Sequence, residues 1–190
     1  MKKAMLLLFA ILFAAGTGFA LDFTRGPQAV PPGSILASAA MALGNTHVTR
    51  SWGSGSATAR RGLFGFTFAV DYALPKFGLT VGVESGYLGG SVVFMDLSAI
   101  PIMGRLGYHP NLGVENLDVY ALFKIGAAIG SLGEDSDTGF GIGAGLGIRY
   151  FFEKNLGAFA ELGLDHYSLS KKDYEVTVRK MIIIGMTYKR

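Results

Sequence analysis

The sequence contains no cysteine, which excludes disulfides, thiolate catalysis, cysteine-ligated metals and a lipid-modified N-terminal cysteine. Beyond residue 20 it has no apolar run approaching the roughly 18 residues that mark a membrane-spanning helix. Net charge is scarce as well. Seventeen Lys and Arg face 14 Asp and Glu, and two of those cations, Lys2 and Lys3, sit at the extreme N-terminus. The remainder is nearly neutral and gives no basis for nucleic-acid binding. Histidines number three, His47, His109 and His166. They are expected in separate parts of the fold, without metal-ligand spacing, so no metal or cofactor is expected.

The first 20 residues read as a secretory signal peptide. Lys2 and Lys3 precede an apolar run from Ala4 to Ala15, and Gly16-Thr17-Gly18-Phe19-Ala20 offers a small-residue cleavage site. That run is too short to span a bilayer as a helix, which takes about 20 residues. Cleavage after Ala20 leaves a periplasmic lead, residues 21–32, and a single domain over 33–190.

What the chain does have is glycine, 28 of 190 residues, about twice the usual share of roughly 7%. It is also half hydrophobic, and its apolar residues recur at every second position. Phe64, Phe66, Phe68, Val70 and Tyr72 alternate with Gly65, Thr67, Ala69 and Asp71; Phe140, Ile142, Ala144, Leu146, Ile148 and Tyr150 alternate with Gly139, Gly141, Gly143, Gly145, Gly147 and Arg149. A period of two is the mark of a strand with one apolar face. Without apolar helices, a membrane protein satisfies its backbone only in a closed sheet.

Segments near 33–43, 64–72, 79–87, 99–109, 117–130, 139–152, 156–167 and 177–189 follow this pattern, predicting an all-β, eight-stranded antiparallel transmembrane barrel. Short connections at Ala73–Gly78, His109–Asn116 and Glu153–Asn155 are assigned to the periplasmic side. Gly44–Arg61, Gly89–Leu97, Ser131–Thr138 and Ser168–Glu175 are assigned to external loops. Tyr72, Tyr108, Tyr150, Phe152 and Tyr188 then gather at the lower ends of alternate strands as an aromatic girdle, where the rings meet lipid and the hydroxyls meet water.

Charges within the strands fall on the face opposite the lipid: Asp71, Glu84, Arg105, Lys124, Arg149, Glu161 and Asp165. Their signs nearly cancel. Eight strands enclose a lumen only wide enough for side chains or one small ligand, so these residues are expected to pair into a plug. Inner glycines make room for larger neighbours such as Tyr120 or Arg149. The run Gly139–Gly147 is not a phosphate-cradling loop, because no helix follows it. Asp165, His166 and Ser168 lie near an external rim, but in a strand Asp165 and His166 point to opposite faces, so no catalytic role is assigned and the chain is read as non-enzymatic. In the longest loop, Arg50, Trp52, Arg60 and Arg61 are candidate contacts for anionic headgroups or for a host or envelope ligand.

Ala99-Ile100-Pro101-Ile102 leading into Arg105–His109, and Gly185-Met186-Thr187-Tyr188-Lys189 near the end, resemble the fourth and closing strands of small eight-stranded outer-membrane barrels. Residues 33–190 are similar in pattern to the OmpX, OmpA barrel-domain and OmpW type. The resemblance implies integral residence in a bacterial outer membrane and insertion by its assembly machinery, with outer-membrane lipids as partners. It departs at the C-terminus, where Tyr188-Lys189-Arg190 replaces the usual final aromatic. Functionally the sequence favours a barrel acting through external loops, as in adhesion, or by stabilising the envelope. The alternatives are an OmpW-like channel for small hydrophobic solutes, lined by Leu88, Met103, Leu122 and Phe151, and an outer-membrane lipid-modifying enzyme.

Overall fold

The computed structural model describes residues 28–52, 55–75, 77–92, 95–132, 135–171 and 174–190. The expected signal peptide lies outside them. Eight strands follow one another in chain order: β1 (Ile35–Trp52), β2 (Gly55–Ala73), β3 (Leu79–Val92), β4 (Met95–Tyr108), β5 (Leu117–Leu132), β6 (Asp135–Phe151), β7 (Leu156–Lys171) and β8 (Tyr174–Lys189). Each pairs antiparallel with the next, and β8 pairs with β1, so the sheet closes as an up-and-down barrel with no free edge. The start of β1 and the C-terminal residue meet at one end of it, where Ile35 and Arg190 exchange two backbone hydrogen bonds of 2.9 Å.

The alternation sorts side chains as the sequence predicts. Phe64, Phe66, Phe68, Val70 and Tyr72 of β2 are all exposed on the outer face, while Leu63, Thr67, Ala69, Asp71 and Ala73 are buried inside. On that outer face the Phe66 ring packs edge-on to Phe68 at 5.6 Å and stacks on Tyr87 of β3 at 5.9 Å. The result is a lipid-facing apolar surface and an interior filled by the other half of each strand.

Two expectations about boundaries need correction. Gly33 and Ser34, expected to open the first strand, instead form a turn, with Gly33 at φ 83° and Ser34 N donating to Pro31 O at 3.2 Å. The segments Gly44–Arg61, Gly89–Leu97, Ser131–Thr138 and Ser168–Glu175, expected as loops, are mostly strand. The β1–β2 ladder runs unbroken from Ile35↔Tyr72 to Trp52↔Gly55. Inward Thr46 and Val48 are buried there, so the alternation persists beneath polar outward residues that hide it. Continuing the ladder also satisfies backbone groups that a loop would leave to water. These strands exceed the 9–11 or so residues needed to cross a bilayer and stand beyond it as hairpins.

The interior is layered. Toward the hairpin end lies an apolar cluster that includes Val48, Leu63, Leu88, Leu97, Met103, Tyr167, Leu169, Val176 and Val178. At the terminal end, Ala29 of the N-terminal lead is buried with Leu36 and Phe151, and Lys189 Nζ donates to Ala29 O at 2.8 Å. Between these lies a charged layer.

Candidate functional site in the charged lumen

One row of register partners builds most of this layer. Asp71 of β2 pairs with Gly82, Gly82 with Arg105, Arg105 with Lys124, Lys124 with Gly143, Gly143 with Asp165, and Asp165 with Lys180. The two glycines are where the row makes room. A Cβ at Gly82 would run into the Asp71 carboxylate, and one at Gly143 into that of Asp165. Every charged member of the row is at most 6% exposed.

The contacts cross the lumen as well as following the wall. Arg105 Nε lies 3.1 Å from Asp71 Oδ1 and Nη2 lies 3.0 Å from Glu161 Oε1, while Nη1 bonds Glu84. Lys124 Nζ reaches Glu84 at 3.0 Å, Glu161 at 3.4 Å and Asp165 at 3.2 Å. Lys180 Nζ bonds Glu84 and lies 3.0 Å from Asp165. A charge removed from water is tolerated only when paired, and here every member has at least two opposite partners except Asp71, whose single partner is Arg105. A void of about 10 Å³ beside Lys124, Glu161 and Lys180 has room for about one water.

A second cluster lies nearer the termini. Asp118 accepts from Arg149 Nη1 at 2.9 Å and lies 2.8 Å from His109 Nδ1, whose Nε2 is 3.1 Å from Thr80 Oγ1. Tyr120 joins the two clusters. Its ring stacks on His109 at 5.1 Å with the Arg149 guanidinium 4.8 Å from its centre, and its hydroxyl donates to Glu161 at 3.1 Å.

The structure thus brings together all seven residues selected from the sequence, Arg149 in the second cluster and the other six in the first. Sequence reasoning missed four members. Asp118 shares its parity with Tyr120, Leu122 and Lys124 and was legible from the alternation. Thr80 lies in the 79–87 segment and carries no charge to single it out, and His109 falls where the predicted fourth strand meets the turn after it. Lys180 was hidden by a bulge: its strand shifts register between Ile182 and Lys180, which turns Lys180 inward against the parity of Ile183, Gly185 and Thr187.

Elsewhere, Tyr72, Tyr150, Phe152 and Tyr188 are exposed near the terminal end and Tyr108 is half-buried there. Asp165 points inward and His166 outward, so the rim carries no assembled acid–base pair between them. Arg60 and Arg61 are exposed; the side chains of Arg50 and Trp52 lie outside the described residues. His47 and His166, expected apart, converge on one outer patch, because both flank Arg179 of β8. Among the described residues no His, Asp and Glu group is arranged to hold a metal.

The sequence profile of the outer membrane protein beta-barrel domain matches residues 7–189. The chain belongs to that family. As an outer-membrane barrel it is an integral membrane protein, with its exposed apolar face against lipid and the charged layer of Asp71, Glu84, Arg105, Lys124, Glu161, Asp165 and Lys180 inside. Among solved structures, Neisserial surface protein A is similar at 16% identity, with a TM-score of 0.57 over 82% of this chain and 98% of that one. Ail, the attachment invasion locus protein of Yersinia pestis, is similar at 18% identity and TM-score 0.46 over 84% and 99%. The outer membrane protease OmpT of Escherichia coli is similar at 10% identity and TM-score 0.49 over 84% and 97%. These likenesses concern the fold. No curated protein sequence is detectably similar to this outer-membrane barrel.

Proposed function

We propose that this protein is a non-enzymatic outer-membrane barrel with a lumen closed by ion pairs, acting at its external hairpins or as a brace of the envelope. The observation that carries the reading is the three-way clasp of Arg105 on Asp71, Glu84 and Glu161, carboxylates from three different strands. A lumen tied across its width in this way leaves the outward surfaces to meet other molecules, and rigid barrels place function on what projects from them.

A second reading is favoured by the apolar hairpin-end interior. Leu88 and Met103 are buried there at 1% and 0% exposure, and Leu122 and Phe151 lie further down at 5% and 4%. They are packed against neighbours, yet a rearrangement would give them a path for small hydrophobic solutes. Uptake of such a solute into liposomes containing the refolded protein separates the two. The proposal expects uptake at the protein-free rate, together with loss of cell adhesion or detergent resistance when the Thr49–Thr58 hairpin tip is replaced by a Gly-Ser turn. Uptake above that rate would make the channel the better reading.

A further inference from the structure

The outer face holds a second charged feature, independent of whether the lumen is sealed. β1 turns Met41, Leu43, Asn45 and His47 outward in succession; β2 turns Phe64, Gly62 and Arg60; β7 turns Leu162, Leu164 and His166; β8 turns Ile184 and, past its bulge, Arg179. On β1, β8 and β7 the apolar band therefore gives way at one level to Asn45, Arg179 and His166, while β2 has Gly62 at that level and Arg60 one outward position beyond. The register makes this one patch: His47 is opposite Arg60, and Arg179 is opposite both Asn45 and His166. With neighbouring strands about 4.8 Å apart, it spans roughly 14 Å from β2 to β7.

The patch lacks its counter-charge. Among the described residues no ion pair joins Arg60, Arg179, His47 or His166 to a carboxylate; the acids of these four strands point inward, except Glu175, which is opposite Thr49 one outward position further from the membrane. Burial holds the His47 imidazole below its ordinary range, and the nearby Arg60 and Arg179 add to the effect. There is also room and an unused acceptor. A Cβ at Gly62 would meet nothing within 4 Å, and Asn45, register partner of Gly62, has a buried Oδ1 with no hydrogen-bond partner while its Nδ2 donates to Met181 Sδ at 3.1 Å.

We propose that Arg60, His47, Asn45, Arg179 and His166 form a binding site for a phosphorylated lipid headgroup in the outer leaflet. Guanidinium pairs match phosphate oxygens. The adjacency of Leu43, Phe64, Leu164 and Ile184 favours a lipid over a soluble anion, since acyl chains would lie on that band directly below the phosphate.

The full-length mature protein, refolded in micelles containing equal phosphatidylcholine and phosphatidic acid, tests this by native mass spectrometry of the retained lipid. The wild type is expected to retain phosphatidic acid preferentially. The R60A/R179A double variant should lose that preference by about tenfold or more, whereas Arg61→Ala, whose register partner Thr46 faces the lumen, should keep it. Heat-dependent mobility on gels shows that each variant is folded. H47Q/H166Q, a milder change, should weaken that preference at constant pH by less than the double arginine variant does. No preference in the wild type, or equal loss in R61A, would overturn the site. Displacement by millimolar inorganic phosphate would overturn the lipid assignment in favour of a soluble anion.

Discussion

Arg105 and Glu161 lie 3.0 Å apart although they belong to β4 and β7, three strands apart around the wall. The contact crosses the lumen, so neither residue is a local feature of its own hairpin. Removing the guanidinium in Arg105→Ala leaves Asp71, Glu84 and Glu161 crowded and short of a cation. Breaking a buried pair in this way costs about 3–5 kcal/mol. Urea titration of the barrel in lipid vesicles should show that loss, with Arg105→Lys recovering part of it, since a single ammonium cannot clasp three carboxylates at once.

Gly147 and Tyr120 are register partners, and a Cβ at 147 would overlap the Tyr120 ring. That ring cannot step aside, because His109 and Arg149 flank it and its hydroxyl bonds Glu161. Gly147→Ala is therefore expected to destabilise by about 1–3 kcal/mol through overpacking. Near-ultraviolet circular dichroism should change with it, reporting the displaced tyrosine. An alanine tolerated without either effect would mean that the ring is mobile.

Ile184 is 60% exposed on the lipid face, between Met41 of β1 and Ala160 of β7. An arginine at that depth costs about 2–4 kcal/mol, whereas one beyond the bilayer, as in Thr58→Arg, costs about 0–1 kcal/mol. Comparative folding of Ile184→Arg and Thr58→Arg into vesicles measures the difference and so locates the membrane on the barrel.

The hairpins are laddered well past the length a bilayer needs. Amide exchange should accordingly be slow at Thr46, Val48, Val176 and Val178, over hours rather than at the rate of open chain. Rapid exchange there would restore the loops that the sequence suggested.

How much of this was legible follows from the period of two. Where one face is uniformly apolar, as from Phe64 to Tyr72, the alternation assigns inside and outside and with them the charges Asp71, Glu84, Arg105 and Lys124. It fails where both faces are polar, which is why Asn45–Thr49 looked like loop, and where a bulge shifts parity, which is why Lys180 was missed. It carries no information about which strands meet across the lumen. The partners of Arg105, and the gathering of His47, Arg60, Arg179 and His166 on one outer patch, come from closure of β8 on β1.

Single-channel conductance of the refolded protein in planar bilayers, with Glu84→Ala and Arg105→Ala measured beside it, tests the closed lumen most directly. The account predicts a silent wild type and openings in both variants, because each removes a member shared by several pairs. Steady conductance of the wild type would contradict it, showing that the ion pairs line a path rather than close one.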